Sequence, residues 1–298
     1  MSRHGQLDWN TDGALWPHNT VSAFVSAAGY QWHIQRFTGS AQKPHLLLLH
    51  GTGASVHSWA WMIPLLQNRF DILTLDLPGH GFTRTDRYRA PTIPVVSTAI
   101  KSLLDAVSFA PDVIMGHSAG AAVMLEMMVR AQTPTRLGVS INGALLPFPG
   151  PARHLFPAMA KMLHFNPFTA SFFAQSARDP RRVQRLITQT GSQVPTESIA
   201  CYQRLFAASA HVNGALALMA NWDLTRTPDK LSSIDVPIIF VSGEKDQAVP
   251  TRDARRCSAM AQHGTLITLP GLGHLAHEEA AEDVVASLLP GIDKAFGD

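Results

Sequence analysis

Ser118 lies in Gly116-His117-Ser118-Ala119-Gly120, a polar pentapeptide with glycine at both flanks. A strand-like apolar run precedes it and a helix-forming run follows, which suits a turn too tight for side chains at its edges. This is the G-x-S-x-G pattern of a nucleophile elbow. Such a turn strains the serine, lifts its hydroxyl above a sheet edge and aims the next backbone N–H, that of Ala119, at a developing oxyanion. Five residues alone describe a serine in any glycine-rich turn equally well, so the chemistry needs partners elsewhere in the chain.

A nucleophilic serine requires a base, and the base requires an orienting carboxylate. Asp246 stands in "VSGEKDQAVP", just after one predicted strand, and His274 stands in "LPGLGHLAHEE", just after the next. Glu244 and Asp253 are rival acids, but a carboxylate followed shortly by Val-Pro in a turn favours Asp246. The loop after the preceding strand offers Asn142, and an amide cannot stabilise an imidazolium as a carboxylate does. His277 rivals His274 as the base; it falls within a predicted closing helix and reads as a surface or supporting group, whereas His274 sits in a glycine-flanked loop. A second oxyanion donor is expected in "HGTGASVHSW", from the amide of Thr52. His50, Asp76 and His80 read as structural, and His117 as lining the pocket floor.

The elements that must position these residues follow from the hydrophobic pattern. "SAFVSAAG" and "YQWHIQRF" read as a hairpin turned at Gly29, while "PHLLLLH", "FDILTLD", "PDVIMGH" and "RLGVSIN" suit a buried parallel sheet. "SWAWMIPLLQN", "PVVSTAIKSLLDAV" and "GAAVMLEMMVRA" have apolar spacings for helices packed on that sheet. "VPIIFVSG" and "GTLITLPG" are two more strands, and "AHEEAAEDVVASLL" a closing helix. The fold class is therefore α/β, a mostly parallel doubly wound sheet of about eight strands. The rhythm breaks over residues 147–230, which are helical or loop-like and read as an inserted cap between two parts of the core, 1–146 and 231–298. Within it Met159, Met162, Leu163, Phe165, Phe168, Phe172 and Phe173 have two readings. They are core packing against the main domain, or they form an apolar substrate pocket or membrane-facing lid above Ser118. Both stay open at this point.

Composition narrows the classes. Hydrophobic residues are 46% and charged residues 15%, enough for a sizeable core and against disorder. The formal charge of +2 carries no basic tract of the kind that tracks a phosphate backbone, so nucleic acid is not expected as a partner. Cys201 and Cys257 lack metal-ligand spacing and cannot form a disulfide framework; they read as buried thiols in a reducing compartment. The 14 histidines show no H-E-x-x-H or similar spacing, so neither a metal nor another cofactor is expected. The N-terminus lacks the apolar stretch of a signal peptide, and no segment reaches the roughly 18 apolar residues of a membrane span. A cytoplasmic location is expected, with peripheral membrane contact left open.

Together, His50-Gly51, "DLPGHG", "GHSAG", the acid loop and the terminal Gly-His resemble the α/β-hydrolase superfamily across nearly the whole chain, including its order of Ser118, Asp246 and His274. More narrowly, "GTGASVHSW", "GHSAGAAVM", "INGALLPFPG", "TGSQVP", "MANWDL" and "LPGLGHLAHEE" resemble the magnesium-chelatase accessory hydrolases encoded with bacteriochlorophyll biosynthesis enzymes. The resemblance implies a serine hydrolase with an inserted cap and an apolar ester or thioester substrate. It also implies an association with magnesium insertion into protoporphyrin, with a porphyrin or its ester as ligand and magnesium chelatase as partner. A non-catalytic accessory role on the same scaffold is the alternative it leaves open.

Overall fold

The computed structural model describes residues 5–39, 43–85, 89–147, 152–166 and 168–297, with side chains in the Ala152–Phe165 helix described from Met159 onward. Its strands are β1 Ser22–Ala27, β2 Tyr30–Phe37, β3 His45–Leu49, β4 Asp71–Leu75, β5 Arg84–Thr85, β6 Val113–His117, β7 Leu137–Ile141, β8 Ile238–Gly243 and β9 Gly264–Leu269. They form one sheet in the order β1-β2-β4-β3-β6-β7-β8-β9, with β5 pairing on β2. The pairs involving β2 are antiparallel and the rest parallel.

Eight of these strands coincide with the apolar runs; β5 is the addition, two residues too short to carry a pattern. The runs are continuous because both faces of the sheet are covered. Leu47, Leu49 and Ile114 pack on one side against the Ile93–Ala106 and Ala119–Val129 helices. Leu46, Leu48, Val113 and Met115, one residue out of phase, pack on the other with Ile63, Leu66, Val284 and Leu288.

Two helical expectations change. "SWAWMIPLLQN" forms only a 3-10 turn, Val56–Trp59, and a four-residue helix, Ile63–Leu66, with Pro64 in its first turn. The closing helix is two helices, Ala276–Glu279 and Ala281–Phe296, broken at Ala280 with φ −147° and ψ 65°. The break lets the first piece bury His277 and Glu278, so His277 is not a surface residue.

Between β7 and β8 the described residues form the helices Ala152–Phe165, Thr169–Ser176, Pro180–Thr188, Thr196–Ala207, Ser209–Ala220 and Thr227–Ser233. Residues 148–151 and 167 of the expected cap lie outside the described residues. Val183, Ile187, Tyr202 and Leu205 join this insertion to the core, packing with Val56, Phe82 and Leu275. Cys201 and Cys257 are buried and unpaired, and burial pushes both thiols up to about 12.

Candidate active site

Ser118 is the single residue between β6 and the Ala119–Val129 helix, at φ 48° and ψ −113°. For a residue with a side chain that backbone is strained, and the surroundings hold it there. The Ser118 N–H donates to the carbonyl of Ile141 (3.0 Å), and the Ala144 N–H donates to the carbonyl of Ser118 (3.0 Å). The flanking glycines are required by close approach: a Cβ at Gly120 would strike the Leu49 carbonyl, and one at Gly116 the backbone of Gly120 and Ala121.

The loops after β8 and β9 bring Asp246 and His274 together. His274 Nδ1 lies 2.8 Å from Asp246 Oδ2 and donates to it when Asp246 is ionised. Asn142 Nδ2 donates to the same oxygen (2.7 Å), and the N–H groups of Ala248 and Val249 donate to Oδ1 (2.7 and 2.8 Å). Four donors on one buried carboxylate satisfy its oxygens and fix its plane. With Nδ1 protonated, the lone pair of His274 is on Nε2. No hydrogen bond joins Nε2 to Ser118 Oγ among the described residues. The two loops nevertheless meet at the elbow, where the His274 carbonyl accepts from His117 Nε2 at 3.0 Å and the two imidazoles lie 4.8 Å apart.

A turn of the insertion, residues 190–192, ties these loops to each other. The carbonyl of Thr190 accepts from the N–H of Gln247 (3.1 Å) on the acid loop and of His274 (3.3 Å) on the base loop, and Ser192 Oγ accepts from the Leu275 N–H (2.8 Å). Gly191 sits at φ +87°, and a Cβ there would strike the Lys245 carbonyl; one at Gly273 would strike Gly191 and Ser192. In the sequence "TGSQVP" carries only the family resemblance, with nothing to mark this role, and Asn142 reads as a residue that is not the acid rather than as a donor to it.

The loop after β3 faces the elbow. A Cβ at Gly51 would lie 3.0 Å from Ser118 Cβ, so Thr52 follows directly on a close approach to the serine. The Ala119 N–H is the first of its helix and has no intrahelical acceptor, and neither it nor the Thr52 N–H donates in the loop and turn hydrogen bonds of the described residues. His50 is structural: its Nδ1–H donates to the Gly51 carbonyl (2.7 Å) and its Nε2 accepts from the Leu77 N–H (2.9 Å). Asp76 is structural too. Burial pushes its carboxyl up, but His33 at 2.8 Å and the Phe82 N–H outweigh this and hold it at about 2. His80 is buried, with Nδ1 against the Pro78 carbonyl.

His117, expected on the pocket floor, is buried beneath the His274 loop. His277 lies deeper, its ring 4.3 Å from that of His117, with no hydrogen-bond partner for either nitrogen among the described residues. Burial and then the neighbouring imidazoles hold both far on the neutral side, His277 at about 3. The floor of the site therefore carries no positive charge at neutral pH.

Met159, Met162, Phe165, Phe168, Phe172 and Phe173 are all exposed. The core-packing expectation does not hold, because the helices carrying them bury Ala160, Thr169 and Ala174 instead. They face solvent. Phe206, from the Thr196–Ala207 helix, lies 3.4 Å from where a Cβ on Gly53 would be. No group of histidine, cysteine or acidic side chains that could hold a metal ion occurs among the described residues, and no helix there is long and apolar enough to cross a membrane.

Residues 46–288 match the model of an alpha/beta hydrolase family. The chain is 36% identical over 281 residues to the magnesium-chelatase 30 kDa subunit of Rhodobacter capsulatus, covering 94% of this chain and 97% of that protein. Among solved structures, an alpha/beta hydrolase fold protein from Burkholderia ambifaria aligns with a TM-score of 0.75 and 20% identity, over 91% of this chain and 97% of that one. The enol-lactonase from Burkholderia xenovorans LB400 aligns with a TM-score of 0.72 and 16% identity, over 93% and 100%.

Proposed function

The chain belongs to the alpha/beta hydrolase family, and from that premise we propose that it is a serine hydrolase of an apolar ester or thioester, working beside magnesium insertion into a porphyrin. The observation that carries the reading is Asp246, held by three other donors, which orients His274 on a loop hydrogen-bonded to His117, the neighbour of the strained Ser118. In the proposed reaction Ser118 Oγ attacks the acyl carbonyl while its proton passes to His274 Nε2. Asp246 stays ionised and stabilises the imidazolium. The amides of Ala119 and Thr52 stabilise the tetrahedral oxyanion. As the intermediate collapses, the bond to the leaving group breaks and that group takes the proton from His274. Water then attacks the acyl-enzyme, giving its proton to His274, and Ser118 recovers one as the acid departs.

The biological setting rests on the relative from Rhodobacter capsulatus, whose name places it with magnesium chelatase. By that likeness the substrate is a porphyrin ester or another largely apolar acyl compound, the partner is the chelatase, and the location is cytoplasmic. Ala144 and Phe206, both partly exposed beside the site, suit an apolar acyl group. The same name favours a second reading, a porphyrin-binding or chelatase-contacting accessory protein on a hydrolase scaffold.

A fluorophosphonate probe separates the two. Under the hydrolase reading the wild type is labelled, and labelling is lost in Ser118→Ala and severely slowed in His274→Ala and Asp246→Asn. A folded wild type that resists the probe, with pigment synthesis restored in a deletion strain by Ser118→Ala as well as by the wild type, sinks the hydrolase reading.

A further inference from the structure

Six large apolar side chains, on two consecutive helices and the turn between them, face solvent. Phe168 is 79% exposed, Phe165 73%, Phe172 70% and Met162 66%, with Met159 and Phe173 above 40%. Met159, Met162 and Phe165 recur at three-residue steps along the Ala152–Phe165 helix, while Phe168 and Phe172 are four apart at the start of the Thr169–Ser176 helix. They therefore form an exposed apolar stripe on each of two adjoining helices, and an apolar face of this kind marks an interaction surface.

The charge beside that face is one-sided. Between residues 159 and 189 there are five basic side chains, Lys161, Arg178, Arg181, Arg182 and Arg185, against the single acid Asp179, in a chain whose formal net charge is only +2. Phe172, Arg178 and Arg182 line one groove together with Asp179, so two of the cations adjoin the aromatic face. Among the described residues Lys161, Arg178, Arg181 and Arg185 have no ion-pair partner, and Arg182 is 4.0 Å from Asp179.

We infer that this face docks on a lipid bilayer carrying anionic headgroups, with the Phe and Met side chains entering the headgroup–acyl boundary and the arginines of the Pro180–Thr188 helix bound to phosphates. Apolar burial supplies part of such binding and attraction to anionic lipid the rest, each basic residue near the surface contributing separately. The inference rests on the outer surface alone and stands whether or not Ser118 is a nucleophile.

Co-sedimentation tests it with vesicles of phosphatidylcholine, and of phosphatidylcholine mixed equally with phosphatidylglycerol. The wild type and Ser118→Ala should bind the anionic vesicles alike, bind neutral ones weakly, and lose affinity as salt is raised. Met162→Ser/Phe168→Ser/Phe172→Ser and, separately, Arg181→Gln/Arg182→Gln/Arg185→Gln should each lower the partition coefficient at least about tenfold. Both variants should keep the wild-type far-ultraviolet circular dichroism and melting temperature. Equal binding of the wild type to neutral and anionic vesicles overturns the inference, as does wild-type partitioning of both folded variants. So does a dimer that ignores vesicles and is split by the apolar variant in sedimentation velocity.

Discussion

The two halves of the insertion between β7 and β8 are built on opposite plans. In the inner half, residues 190–206, a tight turn meets the acid and base loops through three hydrogen bonds: one carbonyl takes two N–H groups, one hydroxyl takes a third, and a glycine occupies space where no side chain fits. In the outer half, residues 159–177, the helices bury small side chains, Ala160, Thr169, Ala174 and Ala177, and pack on the Ser209–Ala220 helix, while methionine and phenylalanine point outward. The usual amphipathic arrangement puts the large apolar residues inward. Its reversal here separates a part that completes the site from a part whose surface is left for something else.

Gly191→Ala is the hardest test of the inner half. Any side chain there meets both an unfavourable φ of +87° and the Lys245 carbonyl, which is backbone and cannot swing aside. The expected loss is on the order of 4 kcal/mol, the exceptional range for one substitution, with fluorophosphonate labelling of Ser118 reduced more than about tenfold. Wild-type labelling and an unchanged denaturant midpoint in this variant would mean that the turn does not hold the two loops, and the contrast between the halves would collapse.

Glu278 tests the anchoring of the inner half through pH. Tyr202, on the Thr196–Ala207 helix, donates to Glu278 Oε1 at 2.7 Å, and burial pushes that carboxyl up to about 7, with Tyr202 and Ser198 pulling the other way. A raised carboxyl pKa means that the folded state holds a proton which the unfolded state releases at lower pH. This stability is fully present below the unfolded value of about 4.5 and is lost as pH rises through about 7. Relative to Glu278→Gln, the wild type should lose up to ~3 kcal/mol between pH 5 and 8, at about 1.4 kcal/mol per pKa unit. Parallel denaturation curves for the two proteins across that window would show that Glu278 is not a buried acid under the Tyr202 hydroxyl.

Ser192→Ala should act more gently and more locally. It removes the acceptor of the Leu275 N–H, the residue after His274, and leaves that donor buried at a cost of about 1–3 kcal/mol. If Ser192 positions the base loop, kcat should fall several-fold with little change in KM, because substrate binding is untouched while the proton acceptor is misplaced. A rise in KM at constant kcat would assign Ser192 to substrate contact instead.

What was legible in the sequence divides along the same line. The buried strands were readable because a parallel sheet covered on both faces demands uninterrupted apolar runs, and the elbow was readable because its five-residue pattern is local in sequence, although only Gly116 is forced by contacts inside it and Gly120 by the Leu49 carbonyl. Asp246 and His274 fell on loops that the strand pattern placed at one end of the sheet. The turn at residues 190–192 was not readable, since its partners lie more than 50 residues away and backbone carbonyls carry no sequence signal. Nor was the burial of His277, which depends on the break at Ala280. The outer face had two readings for a physical reason: hydrophobicity states what a side chain prefers, and alanine on the opposite side of the helix is enough to seat it.

The smallest expected effect is the most discriminating for the outer half. Phe168→Ser and Phe172→Ser replace large aromatic side chains, changes that cost 3–5 kcal/mol as alanine truncations in a core. At 79% and 70% exposure they have little buried area to lose, and surface substitutions of this kind stay within about 0.5 kcal/mol. Thermal melts of the two variants and the wild type in vesicle-free buffer should therefore superimpose. A drop of several degrees would show that these rings are packed in solution. The outer half would then be a second buried layer like the inner one, and the apolar face would not be available to a bilayer.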